Sequence, residues 1–243
     1  MRVIRAFVEG PLVPGQRLAL PDDAAAHLAR VLRLQVGDEC VLFNGDGHDY
    51  AARITAAGKR GVDAEVLSAR AVDNESPLRI TLLQGIARGD KMDWILQKAT
   101  ELGIHAVTPV HSERSEVKLE GERAGKRVAH WRSVVVSACE QCGRARVPSL
   151  AAPQPLRAAT ADLPDVPRYL LDPEAGQAIA TLSSLPGGCV LAVGPEGGWS
   201  PRDREVLRTS GFTGLRLGPR ILRTETAGIA AIAALQGLFG DLR

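Results

Sequence analysis

The stretch that decides the fold is residues 217–227, which read Leu-Gly-Pro-Arg-Ile-Leu-Arg-Thr-Glu-Thr-Ala. A Gly-Pro turn is followed by an apolar pair and a cation, and then by an alanine-rich run that is typical of a helix. Threonine is a common cap residue, so Thr224 and Thr226 are predicted to cap this last helix. Residues 217–223, the downstream loop, therefore join a strand to a helix.

Residues 194–200, Gly-Pro-Glu-Gly-Gly-Trp-Ser, form a second stretch of the same kind, the upstream loop. It follows the apolar run 189–193, which is typical of a buried strand. A glycine-rich loop alone is as often a tight turn, and neither loop matches G-x-G-x-x-G or G-x-x-x-x-G-K-[ST]. Two such strand-to-helix transitions nevertheless indicate the ligand crevice of an α/β sheet, with little support for dinucleotide or triphosphate binding.

Strands and helices alternate after residue 77, which predicts an α/β domain with a mostly parallel sheet covered on both faces. Its predicted strands are residues 78–84, 104–110, 168–171, 189–193 and 215–217. Its predicted helices are residues 90–102, 122–142, 201–210 and 227–238, with a helical segment between residues 171 and 189. Asp90 and Ser200 are predicted as caps of two of them.

The first 72 residues have a different pattern, because short strands are separated by Gly-rich hairpin signals. The predicted strands are residues 2–8, 40–43, 50–57 and 62–71. One helix is predicted over residues 21–33, with Leu28, Val31 and Leu32 on one face. The pattern indicates a small β-barrel, with residues 73–77 as a linker, and therefore domains at 1–72 and 73–243.

Composition restricts the function further. A net charge of +2 over 243 residues allows RNA binding without establishing it, and an aromatic fraction of 4% argues against binding through a series of stacking platforms. No apolar run reaches the roughly 20 residues that span a bilayer, and the start lacks an apolar signal segment, so a cytoplasmic protein is expected. Cys139 and Cys142 have metal-ligand spacing, but no second pair of ligands accompanies them, so no metal is predicted.

Arg223 and Glu225 lie where the last helix begins, and helix N-termini stabilise anions. A simpler alternative makes them a local ion pair. The apolar Ile221-Leu222 pair beside exposed backbone amides suits a flat heterocycle. The basic stretch 113–146 is usually a solvated face and is compatible with an RNA edge. The small residues 228–234 predict either central core or a subunit interface.

These stretches resemble the RsmE family of ribosomal RNA methyltransferases, which modify uridine N3 in small-subunit rRNA and belong to the SPOUT superfamily. The first seventy residues resemble the PUA-like barrel of that family, especially His-Leu-Ala-Arg-Val-Leu-Arg at 27–33. The matching motifs of the second domain are residues 91–103 (KMDWILQKATELG), 113–115 (ERS), 140–144 (EQCGR), 194–200 and 217–227.

The resemblance implies a SPOUT-type, mostly parallel sheet with a C-terminal trefoil knot, preceded by an RNA-binding PUA-like β-barrel. It implies S-adenosylmethionine as cofactor without a metal, 16S rRNA as substrate, free or within the small ribosomal subunit, and a cytoplasmic homodimer without membrane attachment. The second domain would bind the cofactor, contain the knot and dimerise. The last helix and the helix ending near Cys142 are the predicted interface.

The motifs, the chemistry of the reaction and the resemblance together give three groups of candidate site residues. In the catalytic group, Arg223 would stabilise the uracil anion, while Glu196 or Glu225 would position the base or take its proton. The cofactor-binding group is Leu171, Gly194, Glu196, Gly197, Gly198, Leu217, Gly218, Ile221, Leu222, Arg223 and Thr226. The RNA-binding group is Arg30, Arg33, Arg114, Arg144 and Arg146.

Three alternatives stay open at this point. The same domain could methylate another RNA position, such as a ribose 2′-hydroxyl or a tRNA base. The barrel could bind RNA while the second domain is inactive, which predicts no cofactor affinity. A nucleotide hydrolase or dehydrogenase has the right fold class but lacks its phosphate motifs and ranks last.

Overall fold

The computed structural model of the chain describes residues 4–58, 61–117, 119 and 121–242. The chain divides into two compact units, residues 1–75 with 136–147, and residues 76–135 with 148–243. The predicted boundary after residue 72 did not anticipate that residues 136–147 are counted with the first unit. The reason is bonding within that unit, where Phe7 N–H donates to Glu140 Oε1 (3.0 Å) and Arg144 Nε donates to Glu75 Oε1 (3.0 Å).

The first unit contains a sheet whose strand order is β1-β3-β4-β5-β2. The β1–β3 pair is parallel and the β2–β5 pair is antiparallel. The β3–β4 and β4–β5 pairs are antiparallel, as the two hairpin signals predicted. Strand β2 was not predicted, because three residues are too few to show an alternating pattern. The strands are β1 (Arg5–Phe7), β2 (Arg17–Ala19), β3 (Glu39–Phe43), β4 (His48–Gly58) and β5 (Gly61–Ala71).

The helix predicted over residues 21–33 is a short α-helix, α1 (Asp22–Ala25), continued by a π-helical segment, Ala26–Val31. Leu28 is buried as predicted, but Leu32 is 38% exposed, and the side chain of Val31 lies outside what the structure describes. A π-helical turn contains more residues than an α-helical one, so later side chains leave the predicted face. Arg33 ends the segment with φ of 58°, the left-handed region that non-glycine residues seldom adopt.

The second unit contains the predicted parallel sheet, in the order β12-β10-β11-β6-β7-β8, with β9 also pairing with β7. Strands β8 and β9 were not predicted, because two-residue strands carry no periodic signal. The last strand ends two residues earlier than predicted. The strands are β6 (Ile80–Gly85), β7 (Ala106–His111), β8 (Ser149–Leu150), β9 (Gln154–Pro155), β10 (Arg168–Leu171), β11 (Cys189–Val193) and β12 (Thr213–Leu215).

The predicted helices are present, and the segment expected between β10 and β11 is one 3-10 turn, Ile179–Thr181. Ser200 and Asp203 form a reciprocal capping box at the start of α5, whereas Asp90 makes no side-chain cap. No described helix is long and apolar enough to cross a bilayer. The helices are α2 (Lys91–Glu101), α3 (Gly121–Cys142), α4 (Leu156–Ala159), α5 (Pro201–Thr209) and α6 (Thr224–Phe239).

Helix α6 begins three residues earlier than predicted, and neither threonine caps it. Thr224 lies inside the first turn, where its hydroxyl donates to the carbonyl of Gly194 (2.5 Å). Near the other end, Gln236 is completely buried and links distant segments. Its Oε1 accepts from Ser76 Oγ (2.6 Å), and its Nε2 donates to the carbonyl of Gly103 (3.4 Å).

Candidate active site

A cavity of about 460 Å3 lies at the carboxyl ends of β10, β11 and β12. In a parallel sheet these ends carry the connecting loops, so the upstream and downstream loops meet there. The walls are apolar and the rim carries charges of both signs. The lining residues are Arg88, Lys91, Leu171, Asp172, Pro173, Val193, Gly194, Pro195, Glu196, Gly198, Trp199, Arg204, Leu215, Leu217, Gly218, Arg220, Ile221, Leu222, Arg223, Thr224 and Ala227.

Most residues predicted to bind the cofactor line this cavity, but Gly197 and Thr226 are not among its described lining residues. The back of Gly197 faces Arg114, because a Cβ added at Gly197 would lie 3.0 Å from the Cβ of Arg114. Thr226 is exposed and lies between Thr224 and Ala227, which both line the cavity. The cavity therefore uses Thr224 where the sequence had favoured Thr226.

The upstream loop is fixed by hydrogen bonds along its whole length. The Gly198 N–H donates to the Pro195 carbonyl (2.8 Å), which closes a turn, and φ of 66° at Gly198 favours glycine there. The carbonyl of Gly194 accepts from Thr224 Oγ1, and Thr224 Oγ1 in turn accepts from Gln84 Nε2 (3.0 Å). This chain of bonds links the end of β6, the upstream loop and the start of α6.

Lys91, which the sequence analysis did not single out, lies between two carboxylates of the site. Its Nζ is 3.0 Å from Glu196 Oε1 and 3.7 Å from Glu225 Oε2. Glu196 Oε1 also accepts from the backbone N–H of Arg88 (3.0 Å). Burial opposes ionisation of Glu196, but the bonds from Arg88 and Lys91 outweigh it and lower the pKa of Glu196 below its ordinary value. Glu196 is therefore an ionised carboxylate whose Oε1 accepts from both Arg88 and Lys91.

The downstream loop carries the cation that the sequence marked. Arg223 is exposed at the cavity rim, and among the described residues its guanidinium has no hydrogen-bond or ion-pair partner. The local Arg223–Glu225 pair, left open by the sequence, is absent there because Glu225 faces Lys91 instead. Ile221, expected as part of an apolar wall, is 85% exposed. This loop presents a charge and an apolar tip to the outside.

The wall formed by the end of β10 contains a charge pair that the sequence did not predict. Asp172 follows Leu171 and is bonded to Arg204 of helix α5, and both line the cavity. The carboxylate of Asp172 also accepts from the backbone N–H of Glu174 (3.0 Å). A single acidic residue after a strand gave no signal by itself, because its partner lies on another element.

The arginines predicted to bind RNA differ in availability. Arg33 and Arg146 are exposed, whereas the side chain of Arg30 lies outside the described part of the chain. The structure corrects the assignment of Arg144 to RNA binding, because its side chain is only 6% exposed and is paired with Glu75. Arg114 donates from Nη1 to the carbonyl of Gly197 (3.0 Å) and so contacts the upstream loop.

The cysteine pair behaves as two separate thiols. Cys139 and Cys142 form no disulfide, and burial raises the pKa of Cys139 to about 12. Among the described residues, no group of three or more His, Cys, Asp or Glu side chains could hold a metal ion.

Known proteins match this chain over almost its full length. The family model described as RNA methyltransferase domain matches residues 74–236, and the RNA methyltransferase PUA domain model matches residues 20–67. Ribosomal RNA small subunit methyltransferase E of Buchnera aphidicola is 34% identical over 99% of this chain and 98% of its own length. The Bacillus subtilis protein of that name is 32% identical over 86% of this chain and 85% of its own.

Solved structures agree with these relatives. Ribosomal RNA small subunit methyltransferase E from Neisseria gonorrhoeae, bound to S-adenosyl methionine, has a TM-score of 0.94 and 42% identity over 99% of this chain and all of its own. A Legionella pneumophila protein in complex with bound SAM has a TM-score of 0.95 and 38% identity over the whole of both chains. This chain belongs to the ribosomal RNA small subunit methyltransferase E family.

Proposed function

We propose that this protein transfers a methyl group from S-adenosylmethionine to N3 of a uridine in 16S ribosomal RNA. The observation that carries the proposal is the cavity at the carboxyl ends of three parallel strands, with the unpartnered Arg223 at its rim. The family relatives named for small-subunit rRNA methylation support the substrate. The two similar structures with bound SAM support the cofactor.

The residues present fit that cofactor. Leu171, Leu217 and Leu222 give the cavity an apolar wall suited to a flat adenine ring. Asp172 and Glu196 supply carboxylates suited to hydroxyl and ammonium groups, and Lys91 is a cation available to a carboxylate. Gly194 and Gly198 let backbone approach a ligand closely. When bound, S-adenosylmethionine supplies an electrophilic methyl group on sulfur, so the transfer needs no metal.

The chain's own task is to prepare the nucleophile. Uracil N3 carries an imide proton, which must leave before or during attack, and the developing anion must be stabilised. Arg223 is the charge we assign to that anion, because it is exposed at the cavity rim and its guanidinium is not engaged elsewhere in the described structure. Its freedom to contact RNA follows from the same lack of partners.

The two carboxylates differ as proton acceptors. Glu196 is held ionised by Arg88 and Lys91, which makes it a weak base and favours a positioning role. Glu225 has a buried Oε2 with no hydrogen-bond partner among the described residues, 3.7 Å from Lys91. We therefore prefer Glu225 to Glu196 as the group that receives the proton, directly or through water.

We also propose that the first domain binds RNA and the second binds the cofactor, as the resemblance implied. The PUA domain match at residues 20–67 supports RNA binding by residues 1–72, and the methyltransferase match at 74–236 supports cofactor binding by residues 73–243. A C-terminal trefoil knot is supported by the path of α6, which leaves β12 at the sheet edge and bonds through Thr224 to Gly194 and Gln84. A crystal structure traced through residues 168–240 would test the knot.

A cytoplasmic homodimer completes the proposal. Support for the dimer comes from apolar side chains exposed on the second unit, namely Trp94 (62%) on α2 and Leu238 (43%) on α6. We propose α6 and the end of α3 as the interface. Light scattering at micromolar concentration should give twice the mass of the chain, and a monomer with full cofactor affinity would contradict this interface.

The decisive experiment is methyl transfer in vitro. Labelled S-adenosylmethionine is incubated with the protein and either naked 16S rRNA or small subunits from a strain that lacks this activity, and the product is mapped by mass spectrometry. Label at uridine N3 supports the proposal. Label at a ribose 2′-hydroxyl or in tRNA supports the alternative substrate, and cofactor binding without transfer leaves only a binding protein.

The RNA contact is tested by charge removal on the first unit. Arg33→Ala and Arg146→Ala should each weaken RNA binding and flatten its salt dependence by about one unit per lost phosphate contact, with turnover at saturating RNA unchanged. Arg144→Ala is the contrast, because it leaves Glu75 without its buried partner and should destabilise the first unit by about 3 to 5 kcal/mol.

A further inference from the structure

The motif Glu113-Arg114-Ser115 follows β7, on a different loop from both glycine loops, and the sequence had assigned its arginine to RNA. In the structure its first two residues contact the upstream loop at separate points. Arg114 Nη1 donates to the carbonyl of Gly197 (3.0 Å). Ser200 Oγ donates to Glu113 Oε2 (2.6 Å). The motif therefore contacts the middle and the end of the loop.

The contacts are mutually reinforcing. The backbone N–H of Glu113 lies 3.3 Å from Asp203 Oδ2, so it also reaches the capping box of α5. Ser115 holds the motif's own turn, because its hydroxyl is 2.9 Å from that of Ser112. Packing adds to the hydrogen bonds, since the Gly197 backbone lies against Arg114, and an added Cβ would be 3.0 Å from the Arg114 Cβ and 3.3 Å from its carbonyl oxygen. A side chain at position 197 would therefore press on Arg114.

We infer that Glu113 and Arg114 are positioning residues that hold the upstream loop in its cofactor-binding conformation, and that Arg114 is not an RNA ligand. This inference rests on the proposed function. Neither residue lines the cavity among its described walls, so both act through the loop. Loss of either should weaken cofactor binding while leaving the reacting groups in place.

The first test measures cofactor affinity by calorimetry without RNA. Arg114→Met keeps the aliphatic stem and removes the donor, and it should raise the cofactor Kd by about three- to tenfold. Arg114→Lys keeps a donor and should restore part of the loss. Arg123→Met removes an exposed arginine of the same unit and should change the Kd by less than about twofold.

The second test separates positioning from RNA binding. For Arg114→Met the KM for the cofactor should rise while kcat at saturating cofactor, RNA affinity and its salt dependence stay within about twofold of the parent. Reduced RNA affinity with a slope lowered by about one, at unchanged cofactor Kd, would overturn the inference in favour of a phosphate contact. Parent protein that binds no cofactor at all would instead refute the proposed function.

Glu113 gives an independent check at the other contact. Glu113→Ala should raise the cofactor Kd at least as much as Arg114→Met, because Ser200 loses its acceptor. Glu113→Gln retains an acceptor oxygen and should fall between parent and alanine variant. Glu122→Ala, at an exposed carboxylate of α3, is the matched control. Equal Kd values for parent and both Glu113 variants, all correctly folded by circular dichroism, would contradict a positioning role for Glu113.

Discussion

The upstream and downstream loops follow β11 and β12 of one sheet, each contain a Gly-Pro pair, and line the same cavity. Their bonding differs sharply. The upstream loop is bonded to Arg88, Lys91, Glu113, Arg114 and Thr224. Residues 217–222 of the downstream loop make no hydrogen bond to other described residues. Similar sequence patterns thus produce one ordered loop, held by hydrogen bonds, and one open loop, whose Arg223 has no partner among the described residues and can contact a substrate.

Removal of Arg223 tests the open loop most severely. Arg223→Ala should lower kcat by roughly a hundred- to a thousandfold, the usual loss for one preorganised charge-stabilising donor, with RNA affinity mostly intact. Single-turnover methylation at saturating cofactor and RNA measures it, and Arg223→Lys shows how much a displaced charge restores. A loss below about fivefold would leave Arg223 with a structural role only.

Thr224 is where the two loops are joined, so its removal should disturb the ordered one. Thr224→Val keeps the shape and deprives Gly194 and Gln84 of a partner, which should cost about 1 to 3 kcal/mol. We expect the cofactor Kd to rise roughly five- to a hundredfold. Thr226→Val, at an exposed position two residues away, is the control and should change it less than about twofold. Equal behaviour of the two variants would contradict the linkage.

Gly197→Val tests the rear face of the upstream loop. The added side chain would overlap Arg114, and overpacking of this kind typically costs about 1 to 3 kcal/mol, so about tenfold weaker cofactor binding is expected. Gly176→Val places the same side chain where no atom lies within 4 Å of the new Cβ, and binding should persist. Unchanged affinity in a folded Gly197→Val protein would show that the loop is less fixed than its bonds indicate.

The smallest expected effect is a pH dependence. The pKa of Glu196 is lowered from its ordinary 4.5, so the stability it contributes is complete above that value and is lost as pH falls through the lower folded value. Glu196→Gln removes this contribution. Thermal unfolding of both proteins is measured between about pH 3 and pH 7. The parent should have the higher Tm, by a difference that is constant near neutrality and becomes smaller in acid. A difference in Tm that increased on acidification would contradict the lowered pKa of Glu196.

Features of the fold that have a local sequence signal were predictable from the sequence, whereas the partners of individual side chains were not. The Gly-Pro loops, the apolar strand Cys189–Val193 and the periodic helix Lys91–Glu101 all have local signals that the structure confirms. Thr224 was placed at the right turn with the wrong task, because its partner Gly194 lies thirty residues away in sequence. Lys91 went unnoticed for the same reason, since its carboxylates belong to two other segments.

The arginines also show that the sequence does not reveal side-chain partners. A basic stretch is visible in sequence, but which guanidinium is free depends on contacts that only folding creates. Arg144 is buried against Glu75, Arg114 is used by the upstream loop, and Arg223 remains available. The resemblance to a known family supplied the cofactor and the substrate, which composition and periodicity could not have supplied.

Gln236 has a consequence for the order of folding. It joins the last helix to Ser76 and Gly103, pairs separated by 160 and 133 residues along the chain. Contacts between such distant segments close large loops, and folds that depend on them form slowly. During synthesis Ser76 and Gly103 lack their bonds to Gln236 until residue 236 has emerged. The earlier strands of the second unit must therefore wait in an incomplete state, which makes this unit the one expected to need protection from aggregation while it is being made.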